Sequence, residues 1–138
     1  MNDLAERVIG SAIAVHRELG PGFAEATYHR ALTVQLEEDG IAFESEVPVQ
    51  LTYHGQSIGD GRIDLLIEQK LIVELKAAEA NPDKYRRQAA CYLKATGLQL
   101  ALVINFEADT IKQGLSRVIH TSSSPRLRAS ATSAIPLA

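Results

Sequence analysis

Residues Ile63 to Lys76 read IDLLIEQKLIVELK, and their alternation limits what the chain can fold into more than any other segment. The odd positions Ile63, Leu65, Ile67, Leu71, Val73 and Leu75 are all apolar, while Asp64, Glu68, Lys70, Glu74 and Lys76 fall on even positions. A period of two sorts side chains onto the two faces of a strand. For the odd residues of both strands to share a core face, the connection must hold an odd number of residues, and Glu68-Gln69-Lys70 provides three. That loop has no Gly, Asn or Asp, so the register rests on hydrophobic parity alone. Pairing Ile67 with Leu71 puts Leu66 opposite Ile72 and Asp64 opposite Glu74, with Lys76 next along the same face. Directly opposed side chains have Cβ atoms about 4.5–5.5 Å apart, within reach of one divalent cation. A solvent-exposed face on which Lys76 offsets the repulsion would also accommodate the pair. Leu66 and Ile72 on that face argue that it is at least half covered, and covered carboxylates need a cation or raised pKa values.

Around this hairpin the pattern predicts helices first. Asp3 is placed to cap a helix carrying Leu4, Val8, Ile9, Ala12, Val15 and Leu19 on one side, ended by Gly20-Pro21-Gly22. A second helix runs from about Ala24 to Asp39, with Glu25 one turn before Tyr28 on the same inward face and Gly40 at its end. Val47, Val49, Leu51 and Tyr53 then alternate, His54-Gly55 turns the chain, and Gly59-Asp60-Gly61 leads into IDLLI. After LIVELKA, Asn81 and Pro82 start a third helix that Gly97 stops, and LQLALVINF forms a buried strand. The order reads α-α-β-β-β-β-α-β, with a short edge strand around Leu115–Ile119 and no internal repeat.

At 138 residues the chain has room for one core, and 46% hydrophobic with 22% charged residues is a globular composition. One domain is expected over residues 1–120, followed by a mobile Ser/Ala/Pro-rich tail, 121–138. The formal charge of -3 becomes 12 basic against 17 acidic residues once Arg126 and Arg128 of the tail are set aside, which disfavours nonspecific DNA binding by a monomer. A lone cysteine, Cys91, expected to be a small buried hydrophobe, excludes a disulfide framework or multi-cysteine zinc site. The four histidines show no H-x-x-x-H pair, and there is no G-x-S-x-G elbow, Walker loop or dinucleotide fingerprint. With neither a signal-peptide pattern nor an apolar run of membrane-spanning length, the expected location is the cytoplasm and no membrane partner is expected.

Asp64, nine further residues and then Glu74-Leu75-Lys76 form a pattern that resembles the D…(D/E)-x-K signature of the PD-(D/E)xK nuclease superfamily. Gly22, Glu25 and Tyr28 in AVHRELGPGFAEATYHRAL match a G-x-x-E-x-x-Y motif, so the chain resembles the GxxExxY family of that superfamily across roughly residues 5–120. VELKA, QAACYLKATG and VINF are similar to its later blocks. Two residues depart from it: Ala14, where a glutamate is usual, and Ala101, where a glycine is frequent. The resemblance implies a single-domain, restriction-endonuclease-like α/β fold with a central mixed sheet flanked by helices.

It also implies roles. Asp64, Glu74 and the main-chain carbonyl of Leu75 would hold Mg2+ or Mn2+, Lys76 would orient water or stabilise the transition state, and Glu25 would act through a water or second cation. Gln88 and Tyr92 form Q-x-x-x-Y, similar to a motif of lambda-exonuclease-like members, and Lys84 extends that stripe by a turn. Lys84, Arg86, Arg87 and Lys94 form the dense basic patch of the body, placed for a phosphate backbone. Each residue also has a plainer account: Glu25 as a first-turn glutamate, Tyr28 as a core residue with a tethered hydroxyl, Gln88 and Tyr92 as polar positions on a half-exposed helix, and the basic cluster as a solvated face. Two functions follow. One is a metal-dependent nuclease acting on DNA, with RNA as a second substrate class. The other is an inactive nuclease-like module that binds nucleic acid or a protein partner. The acidic balance and small size leave room for a homo-oligomer or protein partner in either.

Overall fold

The computed structural model describes residues 1–79 and 81–120; the expected tail lies outside the described residues. Two helices, α1 (Asn2–Leu19) and α2 (Glu25–Glu38), precede β1 (Phe43–Tyr53), β2 (Gln56–Ile67) and β3 (Leu71–Lys76). Then come α3 (Pro82–Thr96), β4 (Leu100–Asn105), the single turn α4 (Ile111–Gly114) and β5 (Leu115–Ile119). The strands form one sheet in the order β1-β2-β3-β4-β5, mixed because β3 and β4 run parallel while the other neighbours are antiparallel. Parallel neighbours need a crossover, and α3 supplies it.

Helices cover both faces. On one, Leu4, Val8 and Val15 of α1 and Tyr28, Leu32 and Leu36 of α2 pack on Leu65, Ile67, Val73, Leu75, Leu102 and Ile104. On the other, Ala89 and Leu93 of α3 pack on Leu66, Ile72, Ala101 and Val103. Every residue of β4 is buried, as in a strand sandwiched between helical layers. Helix α3 starts where Asn81 Oδ1 accepts the Lys84 N–H and ends at Gly97, left-handed with φ 76°.

The hairpin register is as the alternation predicts: Ile67 pairs with Leu71, Leu66 with Ile72 and Leu65 with Val73. The turn forms without glycine because Glu68 and Gln69 both take left-handed φ, 49° and 63°, while the Lys70 N–H donates to the Ile67 carbonyl. A hydrogen bond from the Glu68 N–H to the Ala42 carbonyl fixes the turn from outside.

Several expectations are corrected. Three strands, not four, precede α3, because Gly59, Asp60 and Gly61 stay in β2, paired with Leu51, Gln50 and Val49. The irregularity there is a shift between Leu51 and Thr52 that leaves Ile58 as an extra residue. Asp3 is not the cap of α1; Met1 takes that position without a side-chain bond, and Asp3 sits in the first turn. Cys91 is exposed rather than buried, since α3 turns Ala89 and Leu93 toward the sheet instead. The odd residues of β2 do not all share a face either. Leu65 and Ile67 join the α1/α2 core, whereas Ile63 joins the α3 core beside Leu66.

Candidate active site

That switch of faces falls at Asp64. On the β1 side, the position opposite Asp64 in register is Glu46, which has φ 55° and is absent from the ladder that pairs Ser45 with Leu65 and Val47 with Ile63. On the β3 side the ladder ends at Leu65 and Val73, one step short of Asp64 and Glu74. Side chains continue it instead. The Asp64 N–H donates to Glu74 Oε2 at 2.9 Å, and the Leu75 N–H donates to Asp64 Oδ2 at 2.8 Å. The two strands exchange carboxylate-to-backbone bonds where backbone-to-backbone bonds would have been, and both carboxylates are thereby fixed in place.

Burial of the two is unequal. Asp64 is half-buried, whereas Glu74 is only 4% exposed. Desolvation, followed by the charge of Asp64, pushes the Glu74 carboxyl up to about 8, against the opposing pull of its hydrogen bond and of Lys76. Glu25 begins α2 and is raised too, first by burial and then by Asp64. Both act against the charges of Lys76 and His29, which favour the ionised form. Three carboxylates therefore share one electrostatic neighbourhood with a single ammonium, Lys76.

Lys76 lies two residues beyond Glu74, and its Nζ donates to Gln88 Oε1 at 3.0 Å while standing 4.9 Å from the centre of the Tyr85 ring. Gln88 thus joins the site through the lysine. Tyr85 was not among the residues singled out from sequence, although its place three before Gln88 puts both on one side of α3. Tyr92 does something else. Its hydroxyl accepts the Arg62 N–H at 3.3 Å and its ring lies against Gly61, where a Cβ would come within 2.5 Å of Cε1. Tyr92 props β2 rather than presenting a hydroxyl to the carboxylates. Lys84 and Arg87 are exposed on α3, and neither makes an ion pair among the described residues; Arg86 pairs with Asp83.

Tyr28 is fully buried and stacked on Phe106 at 4.5 Å. Its hydroxyl donates to the Gly20 carbonyl and accepts the Phe23 N–H, closing the Gly20-Pro21-Gly22 loop that delivers Glu25 to the head of α2. The motif tyrosine is a tethered core residue.

A hard divalent cation suits the donor set. Glu74 Oε1 and Asp64 Oδ1 accept no hydrogen bond among the described residues, and an unpartnered carboxylate oxygen on a side chain as buried as Glu74 is costly without a cation or a proton. Among the described residues no group of three or more His, Cys, Asp or Glu is placed to hold a metal ion, so a cation here would rest on the two carboxylates, with water and substrate oxygens filling the remaining positions.

A mixed sheet between helical layers, interrupted at two clamped carboxylates with a lysine beyond, belongs to the nuclease-like class of α/β domains. Comparison with protein families agrees: the model of the PD-(D/E)XK nuclease superfamily matches residues 2–118, and the chain belongs to that superfamily. Membership indicates a nuclease, with nucleic acid as the class of partner and divalent metals as the general cofactors of the group. No curated protein and no solved structure matches the chain. No helix among the described residues is long and apolar enough to cross a membrane.

Proposed function

We propose that the protein is a Mg2+- or Mn2+-dependent phosphodiesterase that hydrolyses DNA, of the GxxExxY type, with the domain in residues 1–120 as the working unit. The observation that carries this reading is the reciprocal clamp between Asp64 and Glu74, which holds two carboxylates together at the cost of a protonation-prone, buried Glu74. Structural carboxylates are not normally crowded in this way, and perturbed groups of this kind collect at functional sites.

Asp64, Glu74 and the Leu75 carbonyl would hold the cation, which when bound neutralises their charge and polarises the phosphate. Lys76, aligned by Gln88 and Tyr85, is positioned to stabilise charge on the phosphoryl oxygens as water adds to phosphorus and one ester P–O bond breaks. Glu25, at the head of α2 and close enough to Asp64 for their charges to interact, suits the role of accepting the proton that water loses, while the leaving oxygen takes a proton from solvent. Lys84 and Arg87, exposed on α3, would meet the phosphate backbone.

The test is cleavage of single- and double-stranded DNA and of RNA, with Mg2+, Mn2+ or EDTA. DNA should be cut only with the cation, and Glu74→Ala should lose both cleavage and calorimetric metal binding. Metal binding that Glu74→Ala leaves intact would remove the site. Nucleic-acid binding without cleavage in any metal would establish the inactive module instead.

A further inference from the structure

A cavity of about 190 Å³ opens at the carboxyl ends of the parallel strands β3 and β4, where an α/β crossover leaves room for a ligand. Val103 forms an apolar wall, with the Tyr85 ring, Asn105, Gln113 and Glu79 beside it; the Glu107 carboxylate at its edge already accepts the Gly22 N–H, and the Tyr85 hydroxyl donates to the Glu79 carbonyl. It does not overlap the carboxylate clamp, yet Tyr85 belongs to both: its ring lines the cavity and lies 4.9 Å from the Lys76 ammonium.

The polar groups are set in advance. Asn105 is 7% exposed, and its amide orientation is dictated on both sides, Nδ2 donating to the Ala78 carbonyl and Oδ1 accepting the Glu107 N–H. One N–H and one lone pair of that amide remain unused. The Gln113 side-chain amide has no partner among the described residues. The tight approach of α4 closes one side of the cavity, since a Cβ on Gly114 would lie 2.1 Å from the Asn105 carbonyl oxygen.

These features select the ligand by exclusion. Among the described residues no lysine or arginine lines the cavity while Glu79 and Glu107 do, which disfavours a phosphate. Its volume is below the ~300–1,000 Å³ of sites for drug-sized ligands, which leaves space for a ring but not for a nucleotide. An aromatic wall, the unused amide groups of Asn105 and Gln113 and the Glu79 carboxylate suit a flat ring that offers an amino group along with ring acceptors. Cytosine is the single-ring base with that pattern: its amino group donates to a carboxylate and its ring nitrogen and carbonyl accept from amides. Thymine would turn a carbonyl toward the carboxylates and add a methyl group.

We propose that this cavity receives a cytosine base flanking the phosphate bound at Lys76, and so sets where the enzyme cuts. The location relative to the phosphate rests on the nuclease reading; the base site itself does not. The experiment is NMR titration of the full chain with deoxycytidine and with thymidine, alongside mapping of cut positions in DNA of mixed sequence. Deoxycytidine should shift the amides of Val103, Asn105 and Gln113 and bind on the order of tenfold more tightly than thymidine. Gln113→Ala should weaken it, and Ala108→Phe, placed at the cavity lining, should abolish it and flatten the cut-site preference. Equal binding of the two nucleosides, or no binding, overturns the proposal even if DNA is cut. Cytosine-selective binding in a protein that cuts no nucleic acid would sink the nuclease reading and leave the base site standing.

Discussion

Tyr28 and Glu74 are both deeply buried polar side chains, at 0% and 4% exposure, and they are satisfied in opposite ways. The tyrosine hydroxyl is neutral, donates once, accepts once and rests on a stacked ring. Nothing about that corner is held against its own preference. Glu74 accepts a backbone N–H but keeps an oxygen without a partner, beside another carboxylate, and its proton affinity rises accordingly. One corner contributes stability and positions Glu25. The other stores unfavourable charge crowding that a cation or a proton relieves, the arrangement expected where binding and chemistry occur.

The comparison is sharpest at Lys76. Lys76→Ala should leave metal affinity unchanged and cut the cleavage rate by ~10²–10³, as for loss of one transition-state contact. Equal rates in single-turnover assays would mean that the lysine serves only to offset charge.

Next in size is the pH dependence of the apo protein. The folded-state pKa of Glu74, about 8, lies above its ordinary 4.5, so folding favours the protonated acid. Its contribution is full below about pH 4.5, declines above that and is lost as pH rises through about 8, each unit of elevation being worth about 1.4 kcal/mol. Glu25 acts in the same direction. Thermal melts in EDTA should therefore fall between pH 5 and 9, and Glu74→Gln should flatten the slope. Magnesium should reverse the trend, because it binds the ionised pair. A parent protein whose slope matches that of Glu74→Gln would show that Glu74 is not the source.

Tyr28→Phe tests the quiet corner. Removing the hydroxyl leaves the Phe23 N–H and Gly20 carbonyl without their partner and should cost about 1–2 kcal/mol in urea unfolding, with metal affinity unaltered. A large loss of metal binding instead would make Tyr28 part of the site.

The smallest expected change runs the other way. Asp64→Asn keeps an oxygen to accept the Leu75 N–H but removes a charge next to Glu74 and Glu25, so the apo protein should gain roughly 0.5–2 kcal/mol. Saturating magnesium should stabilise the parent, by about 2.7 kcal/mol at a hundredfold excess over Kd, and the variant much less. A variant that melts below the parent in EDTA while gaining as much from magnesium would break the contrast between the two corners.

Much of this was legible in the residues. Parity alone fixed the β2–β3 register, because a slip of one would have turned Leu65 and Ile67 away from the face that Leu71 and Val73 share with them under α1 and α2. Asn81, Pro82 and Gly97 marked α3 because capping chemistry is local. The face switch at Asp64 was not legible: apolar residues at every odd position from Ile63 to Ile67 read as one flat strand, and the left-handed Glu46 that accompanies the break sits in a different strand. Nor could sequence tell that Tyr92 turns to β2 while Gln88 turns to Lys76, since four-residue spacing puts both on one side of a helix without saying what each meets.

Gly61 has no catalytic group and no unusual backbone, yet it gives the molecule a remote point of failure. A methyl group there must displace the Tyr92 ring, which would give up its bond to the Arg62 N–H and push on the helix that carries Gln88 and Tyr85. Both of those residues hold Lys76. In genetic terms, then, the most conservative substitution available to a glycine would act as a lesion in the chemistry, inflicted from the far side of a helix while leaving every reactive group in the sequence.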